Sequence, residues 1–207
     1  MKRVSLFAFD FILLGATLIL MILGILFVYS SGMSFTGMQL SNEYVKQLIW
    51  AGTGLLIMAG VIMIDYNRLR RLSIYFYGFM MLLLLVTPFI GREVHGARSW
   101  IGIGEFGIQP SEFAKIATIL FLASYLSGIG KGVRELPRFL LGLAIAVLPI
   151  GLILLQPDMG TALVYIPIFV CMAFIAGAKL RHILFLVAVG LLTIILAVAP
   201  LYEQWII

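Results

Sequence analysis

The sequence predicts an all-α fold: a polytopic membrane helical bundle of about seven transmembrane helices, with the amino terminus in the cytoplasm. Three observations carry that prediction. Hydrophobic residues make up 63% of the 207 and charged residues only 11%, whereas a soluble domain carries about a quarter charged residues. The apolar residues fall into seven long runs without the alternation of membrane strands, and a hydrocarbon core holding no water leaves a helical bundle as the architecture. The basic residues gather between alternate runs, as the positive-inside rule requires of a multi-pass protein.

The runs cover residues 11–29, 47–64, 72–90, 112–126, 139–155, 161–178 and 183–200. A helix rising ~1.5 Å per residue needs about 20 residues to cross a ~30 Å hydrocarbon layer, and each run reaches that length with its flanks. The first follows Met1-Lys2-Arg3 as a signal peptide's apolar region would, but it is too long and no small-residue cleavage pattern follows, so it reads as a retained span. The fourth is the shortest and opens on charged residues. Pro149 and Pro167 lie inside the fifth and sixth, where they should kink the helices and open room beside Asp158. Met58, Met63, Met80 and Met81 read as packing residues. Cys171 is the single cysteine, which excludes an intrachain disulfide and a thiolate metal cluster.

With the amino terminus inside, Lys2, Arg3, Arg68, Arg70, Arg71, Lys131, Arg134, Arg138, Lys179 and Arg181 are cytoplasmic, ten of the fourteen basic residues. The net charge of +5 therefore reflects topology, not nucleic-acid binding. Lys46, Arg92, Arg98 and Lys115 are the exceptions, and three of them lie in or just after the longest interruption between spans, residues 91–111. That segment reads either as an external loop anchored at the interface by Trp100 or as a functional loop. Its glycines should make it compact and reversing.

It runs directly into Pro110-Ser111-Glu112-Phe113-Ala114-Lys115. Pro110 and Ser111 form a helix-start signal, and Glu112 and Lys115 share one helical face with Ser111 and Thr118. Charges in the outer part of a membrane helix are costly unless they face protein or a wet cavity, so they mark a site or an ion pair between helices. A second polar intrusion, Gln156-Pro157-Asp158-Met159-Gly160-Thr161, separates the fifth and sixth spans, with Asp158 placed to cap the sixth through Gly160 or Thr161. By topology Arg98, Glu112, Lys115 and Asp158 all lie toward the outer leaflet. They are expected to converge on one outward-open cavity bounded by the fourth to sixth spans, with cations for a phosphate and carboxylates for a metal or a proton.

Other motifs fail on context. Gly102-Ile-Gly104-Glu-Phe-Gly107 matches the dinucleotide-binding spacing, but no strand is expected before it and Pro110 follows it. Ser111 and Lys115 are one residue too far apart for the Ser-x-x-Lys of penicillin-recognising enzymes. His95 and His182 fall on opposite sides of the membrane and cannot share a metal.

Three blocks, Gly96-Ala97-Arg98-Ser99-Trp100-Ile101, Gln109 to Lys115, and Gln156-Pro157-Asp158-Met159-Gly160-Thr161-Ala162, in this order and topology, resemble the signatures of the SEDS family (shape, elongation, division and sporulation). The wording around Gln109 to Lys115 is closer to the elongation branch than to the division branch. The resemblance implies a peptidoglycan glycosyltransferase that polymerises lipid II, an undecaprenyl-pyrophosphate-linked disaccharide, at the outer face of the bacterial cytoplasmic membrane, in cell elongation and shape. It implies a class B penicillin-binding protein, a transpeptidase, as partner. Carried over by motif are Arg98, Trp100, Gln109, Glu112, Lys115 and Asp158 as substrate-binding or site-supporting residues. A divalent cation, magnesium or manganese, would find its ligands in Glu112 or Asp158.

Family members have roughly ten spans, and their catalytic aspartate lies in a large external loop after the seventh. The sequence runs to Ile207, and the resemblance places that catalytic base beyond Ile207, so no catalytic residue is assigned within residues 1–207. The chain is therefore expected to be the amino-terminal part, a single membrane domain over residues 1–207, inactive alone, with no substitute for that aspartate in Glu203. Two other classes remain open: a flippase or transporter of lipid-linked precursors, since intramembrane charges also mark translocation paths, and a structural docking platform for the transpeptidase.

Overall fold

The computed structural model of the protein describes residues 10–33, 42–94, 97–103, 106–190 and 192. The chain divides into two units, residues 1–66 and 67–207. In the first, α1 (Phe11–Ser31) and α2 (Glu43–Ile62) pack on each other. Asp10 starts α1 by accepting from the Ile12 and Leu13 amides at 3.0 and 2.9 Å, satisfying two of the amides a helix start leaves open. Glu43 pairs with Lys46 at 3.0 Å, one of the exceptions to the charge rule, and Tyr29 meets Tyr44 edge to face at 5.2 Å.

The second unit holds α3 (Tyr66–Ile90), a three-stranded sheet, α4 (Pro110–Ile129), a 3-10 turn (Gly130–Arg134), α5 (Leu136–Leu154), α6 (Met159–Ile175) and α7 (Leu180–Gly190). Helices α1 to α5 are long and apolar enough to cross a membrane; α6 and the described part of α7 are shorter, and most of residues 191–200 lies outside the described residues. Helices therefore stand where all seven apolar runs predicted them. Their starts differ most at α3, which begins six residues before the apolar run because Arg68, Arg70 and Arg71 interrupt hydropathy without interrupting the helix.

The core of this unit lies between α3, α4, α5 and α6. On α3 it takes Ser73, Tyr77, Met80, Met81, Leu84 and Thr87, and on α4 Ser111, Ala114, Thr118, Leu122 and Leu126, each a stripe at helical spacing. Small residues on α4 let the backbones approach, as membrane helices require when lipid offers no hydrophobic drive to associate. Leu122, Ile153 and Tyr165 are fully buried there.

Two prolines explain the longest-range polar contacts. Pro88 has no N–H to give the carbonyl of Leu84, and Pro149 none for that of Ile145. The Leu84 carbonyl accepts instead from Gln156 Nε2 at 2.9 Å, and the Ile145 carbonyl from the Tyr77 hydroxyl at 2.8 Å. Each of these two carbonyls is thus taken by a side chain from another segment. In hydrocarbon, where an open carbonyl has no water, such replacement is what makes an internal proline tolerable.

Candidate functional site

The segment between α3 and α4 is not an irregular loop. It folds into β1 (Arg92–Val94), β2 (Ala97–Ile103) and β3 (Phe106–Ile108), antiparallel in the order β1-β2-β3. This corrects two expectations: strands do occur, and β2 does precede the glycine motif. The dinucleotide reading still fails, because Gly102 and Gly107 face each other across a hairpin and the described residues form no parallel crossover unit to carry a pyrophosphate at a helix start. Short strands separated by glycines give too little alternation to be read from the sequence. Residues His95, Gly96, Gly104 and Glu105 lie outside the described residues. So do Glu203 and Ile207, so the expectation of a catalytic base beyond Ile207 is not met or contradicted by any described residue.

Glycines fix where this sheet sits. A Cβ on Gly91 would stand 2.6 Å from the Thr87 carbonyl and 3.1 Å from that of Arg98, and one on Gly107 would stand 3.1 Å from the Trp100 ring. The sheet therefore presses on the end of α3, and the half-buried Trp100 indole lies against β3. Arg98 stands opposite Glu93 in the β1–β2 register and pairs with it at 3.6 Å, both side chains largely exposed. Such a pair contributes little to stability, and it leaves the guanidinium accessible.

Gln109 ends the segment as the N-cap of α4, with Pro110 in the first turn, where a missing N–H costs nothing. Its side chain does not cap its own helix. Gln109 Nε2 donates to Asp158 Oδ2 at 2.8 Å, while Asp158 accepts from the Thr161 amide through Oδ1 at 3.1 Å and from the Thr161 hydroxyl through Oδ2 at 2.8 Å. Asp158 is thus the cap of α6 that its spacing predicted and also the clamp holding the starts of α4 and α6 together. One turn into α4, Lys115 Nζ donates to Glu112 Oε1 at 2.7 Å, with Lys115 only 20% exposed and Glu112 54%. Ser111 and Thr118 on the same stripe are buried: Thr118 bonds back to the Ala114 carbonyl at 2.8 Å, and the Ser111 carbonyl accepts from Tyr165 at 3.3 Å.

The expected single cavity does not gather all four residues. Arg98 lines a cavity of about 280 Å³ with Pro88, Glu93, Leu155, Gln156 and Pro157, and none of Glu112, Lys115 and Asp158 belongs to it. The reason is the Asp158 clamp, which turns its carboxylate toward α4 and α6. Sequence reasoning missed Gln156, which is 1% exposed, donates to Leu84, and has no partner for its Oε1 among the described residues. Its neighbour Asp158 carried the charge and drew the attention; Pro88, four residues after Leu84, was the available signal.

The carboxylates that could hold a divalent cation are engaged by protein donors. Both oxygens of Asp158 already accept hydrogen bonds and Glu112 is held by Lys115. Among the described residues no three His, Cys, Asp or Glu side chains gather into an all-protein metal cage, and a magnesium ion shared between one or two carboxylates and substrate phosphates needs no such cluster. Arg98 on β2 and Lys115 on α4 are cations that could each meet an anion, one beside Glu93 and the other beside Glu112, and they line no common cavity.

The comparisons give the family and the fold. The sequence model of the cell cycle protein family that takes in FtsW, RodA and SpoVE matches residues 11–205. The chain is 52% identical to the peptidoglycan glycosyltransferase RodA of Treponema pallidum (strain Nichols), over 95% of this chain and 45% of that protein. Its fold superposes with a TM-score of 0.77 and 31% identity on the crystal structure of the rod shape determining protein RodA of Thermus thermophilus, covering 91% of this chain and 60% of that one. A chain in a structure of a peptidoglycan synthase complex matches with a TM-score of 0.76 and 31% identity, over 93% of this chain and 55% of its own. The chain spans about half the length of the curated relatives it matches.

Proposed function

This chain belongs to the FtsW, RodA and SpoVE family of cell cycle proteins, and from that premise we propose that the whole protein is a multi-pass glycosyltransferase of the bacterial cytoplasmic membrane that polymerises lipid II into peptidoglycan. The observation that carries the reading is the Gln109–Asp158 bond, which joins two of the three family-like blocks at one end of the bundle. In the reaction a sugar hydroxyl of the acceptor attacks the anomeric carbon of the donor, the carbon–oxygen bond to the undecaprenyl pyrophosphate breaks, and the pyrophosphate leaves with the bonding pair. Charge grows on that pyrophosphate in the transition state, so cations aimed at it speed the step more than they tighten ground-state binding. Lys115 and Arg98 are assigned to this task, Glu112 and Asp158 to holding Lys115 and the helix starts in place, and Trp100 to the wall facing the disaccharide. The family's external loop after the seventh span is assigned the base that accepts the hydroxyl proton. No resident cation is assigned to the carboxylates here.

A transporter needs polar groups or broken helices reaching the membrane midplane. Beyond Thr118 the buried stripe of α4 continues as Leu122 and Leu126, which supports chemistry at one surface. The partner in this proposal is a class B penicillin-binding protein, in keeping with the likeness to a chain of a peptidoglycan synthase complex. Purified full-length protein with its transpeptidase should make glycan strands from lipid II in detergent, where transport is impossible. Failure there, with movement of lipid II across proteoliposome membranes instead, would establish the flippase reading in its place.

A further inference from the structure

At the end of the bundle opposite the Gln109–Asp158 clamp, the structure holds a second and larger cavity, of about 530 Å³, lined by Arg134, Gly177, Ala178, Lys179, Leu180 and Arg181. It is a shallow hollow, largely open on its outer side, unlike the enclosed clefts of small-molecule sites. α6 closes there on a glycine turn: Gly177 takes φ +84°, the Ala178 amide donates to the Ala173 carbonyl at 3.0 Å and the Gly177 amide to Phe174 at 2.9 Å. This pattern satisfies the last carbonyls of the helix and demands a residue free to adopt positive φ. The Gly177 carbonyl, left outside the helix, accepts from Arg134 Nε at 3.3 Å. The guanidinium is thereby fixed through its inner nitrogen, and its two terminal nitrogens have no further hydrogen bond among the described residues.

We infer that this cavity is a binding site for the phosphate headgroup of an anionic membrane lipid of the inner leaflet. Three cations surround it, and none has a carboxylate within ion-pair distance among the described residues. Between Gly128 and Gly190 the acidic residues are Glu135 and Asp158; Glu135 is engaged with Arg138 at 3.4 Å and Asp158 caps the far end of α6. The same basic segments are those that the charge bias places on the cytoplasmic side, where anionic lipid concentrates. A soluble phosphate compound would meet the same cations, but the walls favour a lipid. Leu180 lines the cavity itself, and Phe174, Ile175, Leu184 and Phe185, near it in sequence on α6 and α7, are highly exposed apolar side chains that acyl chains could cover.

The test uses the full-length protein in phosphatidylcholine vesicles doped with photo-crosslinkable phosphatidylglycerol, with labelled peptides mapped by mass spectrometry. Wild type should label the segment around Gly177 to Arg181, with unlabelled phosphatidylglycerol competing and inorganic phosphate not competing. The triple variant Arg134→Gln, Lys179→Gln, Arg181→Gln should lose labelling about tenfold or more, since each basic residue beside an anionic leaflet contributes a several-fold affinity. The charge-preserving pair Lys179→Arg, Arg181→Lys should retain it, which separates lost charge from lost fold. Equal labelling by a phosphatidylcholine probe, or undiminished labelling of a folded triple variant, overturns the site. Competition by inorganic phosphate as strong as by the lipid overturns the lipid as occupant. Because the readout is lipid contact, it succeeds or fails independently of glycan polymerisation.

Discussion

At one end of the second unit, Asp158, Gln109, Glu112, Lys115 and Gln156 meet named partners at 2.7 to 3.1 Å. At the other end, Arg134, Lys179 and Arg181 face a cavity with no acidic partner among the described residues. The first end is arranged before any ligand arrives, so that its side chains need no reorganisation during a reaction. The second is a concentration of charge on long stems, which suits adhesion to a variable, fluid surface. Geometry should therefore govern the consequences of mutation at the first end, and total charge those at the second.

The strongest way to break this contrast is Asp158→Ala. Losing the clamp releases the starts of both α4 and α6, and a displacement of an ångström near reacting groups costs about a hundredfold in rate; polymerisation of lipid II by the full-length protein should fall by that order while membrane insertion persists. Asp158→Asn, which keeps an acceptor for the Thr161 amide and can still meet Gln109 once the Gln109 amide turns its Oε1 toward the new NH2, should be the milder change. Equal loss in both would show that the Oδ2 acceptor has no substitute. Next is Lys115→Met. Removal of one charge-assisted hydrogen bond to a pyrophosphate costs about 1.5–3 kcal/mol, hence about ten- to a hundredfold in kcat/KM, measured in single-turnover assays with lipid II.

Gln156→Leu sharpens the contrast through stability. It leaves the Leu84 carbonyl dry, and an unsatisfied buried acceptor costs about 1–3 kcal/mol, read as a lowered unfolding temperature in detergent. Pro88→Ala restores the backbone donor to that carbonyl, so the double variant Pro88→Ala, Gln156→Leu should lose much less than the single one; additive losses in such a cycle would disprove the compensation. The smallest effect is expected from Arg134→Gln, a surface change at the charge-governed end, which should alter polymerisation by less than about twofold.

The helices were legible because spanning is decided by length and hydropathy, both properties of consecutive residues. Asp158 as a cap was legible for the same reason, since Thr161 is three residues away. Its bond to Gln109 was not, because forty-nine residues separate them and only packing selects that donor among several polar candidates. The Arg98 cavity differed from expectation through the sheet: topology placed Arg98, Glu112, Lys115 and Asp158 at the same depth, but depth does not fix direction. The β1–β2 register turned Arg98 toward Glu93, and the clamp turned Asp158 away. The Pro88 and Pro149 carbonyls were legible in principle, since a proline always orphans the carbonyl four residues before it, although the identity of the donor depends on contacts between distant helices.

The Leu84 carbonyl also sets a timetable for the protein's birth. Seventy-two residues separate Leu84 from Gln156, whereas Tyr77 is already made when the Ile145 carbonyl that it meets is added. At synthesis rates of about 5–20 residues per second, α3 waits roughly 4–14 s in the insertion machinery before the amide that satisfies its open carbonyl has been made. During that interval α3 carries one open carbonyl, whose exposure to lipid costs several kcal/mol. Water or a polar group of the insertion machinery can meet that carbonyl until the turn after α5 brings Gln156 to it.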